Sequence, residues 1–222
     1  IARGKRIAAH MLETAESDIE FAAGKFTVAG TDRSVSIREV ARTSFMMTAL
    51  PKDIEPGFSE TGTFAPEVSN FPNGTHVCEV EIDPDTGTVS LQRYAVVDDV
   101  GTVINPLLLK GQIYGGIAQG VGQILKEDIA YDPESGQLLT GSFMDYAMPR
   151  ADDFCDFAVE SHPVPTPTNP LGAKGAGEAG TVGAMPATMN AIIDALSPLG
   201  IAHLDLPATP ERIWRAIRDA KA

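Results

Sequence analysis

The sequence predicts an α+β fold in which layered antiparallel sheets pack against helices. Stretches with helical periodicity and stretches with strand alternation follow one another in blocks along the chain. Strands joined by short turns outnumber other strand connections, and no series of strand–helix–strand crossovers is visible. The chain has 222 residues, 43% of them hydrophobic, which suffices for one large core or two small ones. Two domains are expected, residues 1–60 and residues 61–222.

The first domain is predicted as a helix, a hairpin and a second helix that continue a region upstream of this chain. Apolar residues at helical spacing predict a helix over 1–15, and a short hairpin follows around Gly24. Ser36 and Glu39 match a capping box, in which each side chain bonds the backbone N–H of the other residue. The second helix should therefore begin there and extend to about Leu50.

The second domain is predicted to open with a hairpin and a long helix. A stretch rich in Pro, Gly, Ser and Thr, residues 51–74, leads into it as a connection. Alternating residues over 76–82 and 89–97 flank a D-P-D-T-G turn and predict two paired strands. A helix is expected over 107–125, with a core stripe at Ile113, Ile117, Val121 and Ile124.

That helix has an unusual number of glycines, each of which costs about 1 kcal/mol relative to alanine in a helix interior. They stand at Gly111, Gly115, Gly116, Gly120 and Gly122. A helix tolerates them when its small face lies against another backbone or a flat ligand. Gln112 and Gln119 share a different face. The pattern alone equally allows close helix packing with solvated glutamines.

The C-terminal part is predicted to mix short strands with two helices. Strands are expected over 129–131, 138–140, 154–160 and 202–206. A helix should begin past Thr181 and end near Leu196, with Pro186 near its first turn and Ala187, Ala191, Ile192 and Ala195 on one face. Thr209 and Pro210 are expected to cap and start a last helix.

A loop over 163–181, reading PVPTPTNPLGAKGAGEAGT, joins a stiff proline-rich half to a flexible glycine-rich half. It contains one cation, Lys174, and one carboxylate, Glu178. Its glycines match G-x-G-x-x-G, but they follow prolines instead of a buried strand, and Glu178 stands where a pyrophosphate would lie. Nucleotide binding is therefore a distant alternative, and a solvated surface loop is the plainer one on composition.

Charge and cysteine content exclude several classes of function. The net charge of −13 argues against nucleic acid and anionic membranes as partners. No apolar run approaches the ~18 residues that a membrane span needs. Cys78 and Cys155 form no CxxC pair, so neither an iron–sulfur cluster nor a structural zinc site is expected. Two unpaired cysteines also lead us to expect a reducing, cytoplasmic location. The histidines lack metal-ligand spacing and are expected to be structural: His10, His76, His162 and His203.

Three runs, GAKGAGEAG, GQIYGGIAQGVGQ and PATPERIWRAI, make the chain resemble the molybdenum hydroxylases. These are the molybdopterin-binding large subunits of the xanthine dehydrogenase, aldehyde oxidase and carbon monoxide dehydrogenase family, and the resemblance covers about residues 20–222. It implies the family's second molybdenum-cofactor-binding domain type. It also implies that Glu178 is the catalytic base and that Gln112 lies against the cofactor. Further residues near the cofactor would be Gly115, Gly116, Gln119, Gly120, Lys174, Gly175 and Gly177.

The resemblance also implies a cofactor and partners. The cofactor would be a molybdenum pyranopterin, as molybdopterin or its cytosine dinucleotide, whose metal takes no ligand from a side chain. The reaction would be a water-dependent hydroxylation of carbon monoxide, an aldehyde or an N-heterocycle. Expected partners are the missing N-terminal half of the large subunit, iron–sulfur and FAD subunits, and further copies in an oligomer. The alternative is a non-catalytic binding or assembly module with a degenerate site, and this chain alone is expected to be inactive.

Overall fold

The computed structural model describes residues 1–220, and the chain divides into two units, Ile1–Ala65 and the part from Pro66 onward. In unit 1, α1 (Ala2–Met11) precedes three short strands, β1 (Ile19–Ala22), β2 (Lys25–Val28) and β3 (Ser34–Ser36), and α2 (Ile37–Thr43) follows. The strands form an antiparallel sheet in the order β1-β2-β3. The predicted hairpin around Gly24 is thereby confirmed. The core side chains are Ile7, Ile19, Phe26 and Val40.

The capping box of α2 is confirmed, but both helices of unit 1 are shorter than predicted. The Glu39 carboxylate accepts from the Ser36 N–H at 2.8 Å, and the Ser36 hydroxyl accepts from the Glu39 N–H at 3.2 Å. Helix α1 ends early because the chain turns at Glu13, which has a φ of 49°. Helix α2 does not reach Leu50, because the Ser44 carbonyl accepts from the Gly57 N–H at 2.7 Å instead of continuing the helix.

Unit 2 contains a three-stranded sheet and three helices. The strands are β4 (Asn73–Ile82), β5 (Val89–Asp99) and β6 (Phe157–Ser161), and the helices are α3 (Pro106–Leu125), α4 (Ala179–Leu196) and α5 (Pro210–Ala220). The predicted hairpin corresponds to the antiparallel β4–β5 pair. Strand β6 pairs with β5 in parallel, with Tyr94 opposite Phe157. The α+β class is confirmed, with one strand–helix–strand crossover through α3 added to the antiparallel pairs.

The core of unit 2 lies between this sheet and its helices. All four residues of the predicted α3 stripe are buried. They pack with side chains from the sheet and the other helices, including Tyr94, Ile192, Ile213 and Ile217. The expected cap of α5 is confirmed, because the Arg212 N–H donates to the Thr209 hydroxyl at 3.4 Å. Within residues 1–220, no helix is both long and apolar enough to cross a membrane.

Several predictions for unit 2 are wrong. Residues 202–206 form no strand, since none of the six strands described above pairs with them and a lone extended segment lacks ladder hydrogen bonds. The strands over 129–131 and 138–140 reduce to one bridge, Tyr131 with Leu138. Helix α4 begins at Ala179, so Pro186 lies inside it. Its buried residues follow an i+4 row, Gly180, Ala184, Thr188, Ile192 and Leu196, and of the predicted face only Ile192 is fully buried.

Candidate functional site

Helices α3 and α4 touch backbone to backbone and run in the same direction. A β-carbon on Gly116 would lie 2.9 Å from the Cα of Gly180, and one on Gly120 would lie 2.8 Å from the Cβ of Ala184. Four residues along one helix therefore match four along the other, which makes the pair parallel. The Thr181 hydroxyl adds a hydrogen bond to the Gly116 carbonyl at 3.0 Å. The N-terminus of α4 consequently lies beside the middle of α3.

The predicted residues of α3 divide between its buried and exposed sides. Gly116 and Gly120 are buried and face α4. Gly115 is exposed, and a β-carbon there would meet no atom within 4 Å. Gln112 and Gln119 are exposed, and the Gln119 side chain accepts from the Thr181 hydroxyl at 3.2 Å. The alternative of close helix packing is thus correct for the buried glycines, while the other side of α3 faces outward.

Glu178 lies at the N-terminus of α4, beside the middle of α3. It is the N-cap residue, with φ −110° and ψ −5°, and its carbonyl accepts from the Val182 N–H at 3.0 Å. Within the described chain its side chain makes no capping hydrogen bond. The Gly180 contact with α3 falls at the Ile113 carbonyl, one residue beyond Gln112. The fold therefore places Glu178 at about the level of Gln112 along α3, although they are 66 positions apart in the sequence.

A cavity of about 560 Å³ opens beside Glu178. Its wall includes Phe71, Asn73, His76, Asp98, Gly177 and Val182. The lining is mostly apolar, and its polar groups come from the start of β4, the end of β5 and the start of α4. An apolar cleft with few polar groups is the usual form of a small-molecule site.

The inner wall of this cavity carries a buried polar cluster that the sequence interpretation missed. The His76 Nδ1 atom lies 2.7 Å from the Tyr94 hydroxyl, and the His76 Nε2 atom lies 3.6 Å from Asp98 Oδ1. Asp98 Oδ2 is buried without a hydrogen-bond partner among the described residues. A β-carbon on Gly183 would lie 2.2 Å from the His76 ring, so α4 packs directly on the imidazole. Burial raises the Tyr94 pKa well above its usual range.

Lys174 is buried in an ion pair, whereas the glycines beside it are exposed. The Lys174 ammonium donates to Asp99 Oδ2 at 2.6 Å, and the two side chains are only 12% and 9% exposed. The Lys174 hydrogen bond holds the Asp99 pKa down at about 2, helped by the backbone N–H of Val164. Gly175 and Gly177 are exposed, and a β-carbon at either would meet no atom within 4 Å. Lys174 is therefore not a solvated residue of a surface loop.

The donor set at this end of unit 2 fits a flat organic ligand better than a bare metal ion. Open backbone at Gly175 and Gly177, an apolar wall and a buried acceptor at Asp98 Oδ2 can receive such a ligand. Across residues 1–220, no three His, Cys, Asp or Glu side chains converge as metal ligands.

Comparison with known proteins gives a consistent family assignment. A family model described as "Molybdopterin cofactor-binding domain" matches residues 1–155. The chain is 33% identical to the carbon monoxide dehydrogenase large chain of Hydrogenophaga pseudoflava over 98% of its own length and 27% of that protein. It is 41% identical to the nicotine 6-hydroxylase large subunit of Paenarthrobacter nicotinovorans, over 96% of this chain and 26% of that one.

Solved structures show the same relationship. The Cu,Mo-CO dehydrogenase in its carbon monoxide reduced state superposes with a TM-score of 0.90 at 34% identity, covering 99% of this chain and 27% of that one. Quinoline 2-oxidoreductase from Pseudomonas putida 86 gives a TM-score of 0.87 at 37% identity, covering 98% and 28%. The chain spans about a quarter of the length of these relatives.

Proposed function

Since this chain belongs to the molybdopterin cofactor-binding domain family, we propose that it is part of a molybdenum hydroxylase large subunit and supplies the catalytic base, Glu178. The observation that carries this proposal is the position of Glu178 beside a mostly apolar cavity, with a carboxylate that makes no capping hydrogen bond to α4 within the described chain. The similarity to molybdenum enzymes extends over nearly the whole chain and supports it.

Exposed residues where the start of α4 lies beside α3 are the proposed cofactor contacts. Gln112 and Gly115 would contribute from α3, and Gly175 and Gly177 from the loop before α4, where open backbone permits close approach. When bound, a molybdenum pyranopterin, as molybdopterin or its cytosine dinucleotide, would supply a redox-active metal that accepts two electrons. Three further residues would contribute without touching the cofactor, by holding α4 against α3: Gly116, Gln119 and Gly120.

In this proposal Glu178 takes up a proton of the water whose oxygen is transferred to the substrate. A carboxylate placed within hydrogen-bond reach of that water acts as a general base, which contributes about 10²- to 10⁴-fold to a rate. The apolar wall formed by Phe71 and Val182 would exclude bulk water and orient the substrate. Carbon monoxide, an aldehyde or an N-heterocycle are the proposed substrate classes, in line with the names of the relatives.

The proposed assembly follows from the length of the relatives. The remaining three quarters of a large subunit would complete the site, and partner subunits with iron–sulfur clusters and FAD would carry the electrons away. An oligomeric, cytoplasmic enzyme is the proposed whole. A non-catalytic module with the same fold is the second candidate, and the metal content of the intact protein separates it from an enzyme.

The deciding experiment replaces Glu178 by Gln in the intact protein and measures turnover with molybdenum and pterin content. We expect turnover to fall by about 10²- to 10⁴-fold while the cofactor content stays at the wild-type level. Glu134→Gln, in an exposed turn, is the matched control and should leave turnover unchanged. Retained turnover in Glu178→Gln would remove this residue from the mechanism. A wild-type protein without molybdenum would instead support the non-catalytic module.

A further inference from the structure

We propose that Asp99 is a positioning residue for Glu178, because with Lys174 it fixes both ends of the loop that leads into α4. The proposal rests on the proposed function only for the importance of Glu178. The fixing of the loop itself is a property of the fold and can be measured without turnover. Lys174 then serves the site by holding the loop, instead of acting directly on anionic groups of the cofactor.

Asp99 receives hydrogen bonds from three separate segments. Its Oδ1 atom accepts from the Gly101 N–H at 2.8 Å and from the Val164 N–H at 2.9 Å. Its Oδ2 atom accepts from the Lys174 ammonium at 2.6 Å. Val164 and Lys174 stand at the two ends of the folded part of the loop, so one carboxylate at the end of β5 joins both ends. An Asn side chain could not accept all three hydrogen bonds in this arrangement, because it has only one carbonyl oxygen.

Backbone hydrogen bonds extend the same connection. The Lys174 N–H donates to the Val100 carbonyl at 2.8 Å, and the Thr102 N–H donates to the Gly172 carbonyl at 2.9 Å. Gly101 has a φ of +65°, and a β-carbon there would lie 2.2 Å from the Gly172 carbonyl oxygen. The turn after β5 and the loop are therefore in contact along their backbones up to Lys174.

On the other side of Glu178, the chain is fixed by the contact of Gly180 with α3. Only Gly175, Ala176 and Gly177 separate Lys174 from Glu178, and three extended residues span about 10 Å. A β-carbon added to either glycine would meet no atom within 4 Å, so no packing contact holds these two residues in place. The position of Glu178 is thus limited by its two fixed neighbours, Lys174 and Gly180, and loss of either would let the carboxylate move.

The ion pair is buried and charged, which makes it a strong restraint. Both side chains are almost fully removed from solvent, and a charge-assisted hydrogen bond is about twice as strong as a neutral one. The hydrogen bond from Lys174 holds the Asp99 pKa at about 2, so the carboxylate stays ionised well below neutral pH. Asp99→Asn removes the charge and one acceptor oxygen while leaving the shape unchanged, so it tests the pair with little change in packing.

The experiment compares Asp99→Asn with a matched ion-pair control in the intact enzyme. The control is Asp153→Asn, because Asp153 also receives a lysine, Lys126 at 2.5 Å, and a backbone N–H, that of Arg150 at 2.7 Å. The measurements are kcat, KM, cofactor content, and hydrogen exchange of the Thr102, Thr166 and Lys174 amides, which donate to backbone carbonyls of the turn and the loop.

We expect Asp99→Asn to lower kcat by about 10-fold or more, with KM and cofactor content unchanged, because misplacing a catalytic group by about 1 Å can cost 10²-fold. Exchange of the Thr102, Thr166 and Lys174 amides should become at least about 10-fold faster, whereas Asp153→Asn should change neither kcat nor this exchange. Lys174→Arg keeps the charge and should retain slow exchange, and Lys174→Gln should lose it. This pair decides the matter if Asp99→Asn does not fold.

Unchanged exchange and unchanged kcat in Asp99→Asn would overturn the positioning role and leave the proposed function intact. If Glu178→Gln retained turnover while Asp99→Asn sped exchange, the proposed function would fail and the fixing of the loop would stand. Equal losses of kcat in Asp99→Asn and Asp153→Asn would also overturn the proposal, since they would indicate a general loss of stability.

Discussion

Gly116 and Gly180 meet backbone to backbone, with no room for a β-carbon between them: one on Gly116 would come within 2.9 Å of the Gly180 Cα. This contact sets the distance between α3 and α4 and holds Glu178 beside the middle of α3. Real β-carbons essentially never approach so closely, so an added methyl group must push the helices apart.

The replacement Gly116→Ala should therefore destabilise the protein although alanine favours helices. Overpacking typically costs about 1–3 kcal/mol, which exceeds the gain of about 1 kcal/mol in helix propensity. Gly111→Ala is the matched control in the same helix, because a β-carbon there would meet nothing within 4 Å. It should raise the free energy of unfolding by up to about 1 kcal/mol. Urea unfolding of both variants gives the answer, and equal stabilities would contradict the close contact.

Gly177→Ala should affect cofactor binding without affecting stability. The added methyl group would meet no protein atom, and Gly177 is not among the residues with positive φ. Any effect must then come from a ligand that approaches the backbone. We expect a several-fold lower molybdenum content in the purified protein, measured by elemental analysis, with an unchanged unfolding midpoint. Gly62→Ala, equally unobstructed in unit 1, is the control and should bind cofactor normally.

Asp99 should make stability depend on pH in the acid range. Its pKa is lowered from 3.8 to about 2, so its stabilising effect is complete above pH 4 and is lost as the pH falls through about 2. The measurement is the difference in unfolding free energy between the wild-type protein and Asp99→Asn, followed from pH 6 to pH 2. This difference should favour the wild type at pH 6 and shrink toward pH 2. A difference that stays constant over this range would show that Asp99 is not held ionised by Lys174.

Ser36→Ala should destabilise unit 1 by about 1 kcal/mol, because it removes the hydroxyl that caps α2. Ser34→Ala, two residues earlier on the exposed edge strand β3, is the control. The loss should appear in the unfolding transition of unit 1, followed by hydrogen exchange of α2 amides. If both variants unfold alike, the capping box contributes nothing to stability.

Local patterns were sufficient for much of the fold. Helix α3 was predictable from the helical spacing of Ile113, Ile117, Val121 and Ile124. The structure adds a cap, in which the Asn105 side chain accepts from the Leu107 and Leu108 N–H groups at 3.0 and 3.2 Å. The β4–β5 hairpin was predictable because a recognisable turn joins alternating strands. Both depend on residues close in sequence, where periodicity and turn chemistry operate directly.

What local patterns could not supply are the pairings between distant segments. Strand β6 reads as an ordinary alternating strand, and nothing in it specifies parallel pairing with β5. The Asp99–Lys174 pair joins residues 75 positions apart, and nothing in the sequence around Lys174 identifies Asp99 as its partner. His76 was interpreted as an isolated structural histidine, yet it faces the cavity beside Glu178. One available signal was its place on the face of β4 that also carries Cys78 and Val80, which pack against the core.

The parallel pairing of β5 with β6 also bears on how the chain folds. Tyr94 and Phe157, which are 63 positions apart in the sequence, must meet before this part of the sheet forms. The three strands of unit 1 lie within residues 19–36 and need only short loops to close. Since ordering a long loop precedes any gain from its contacts, rates fall as contacting residues become more distant in sequence. Unit 1 should therefore acquire protected amides early in refolding, and the sheet beneath the candidate site should be completed late.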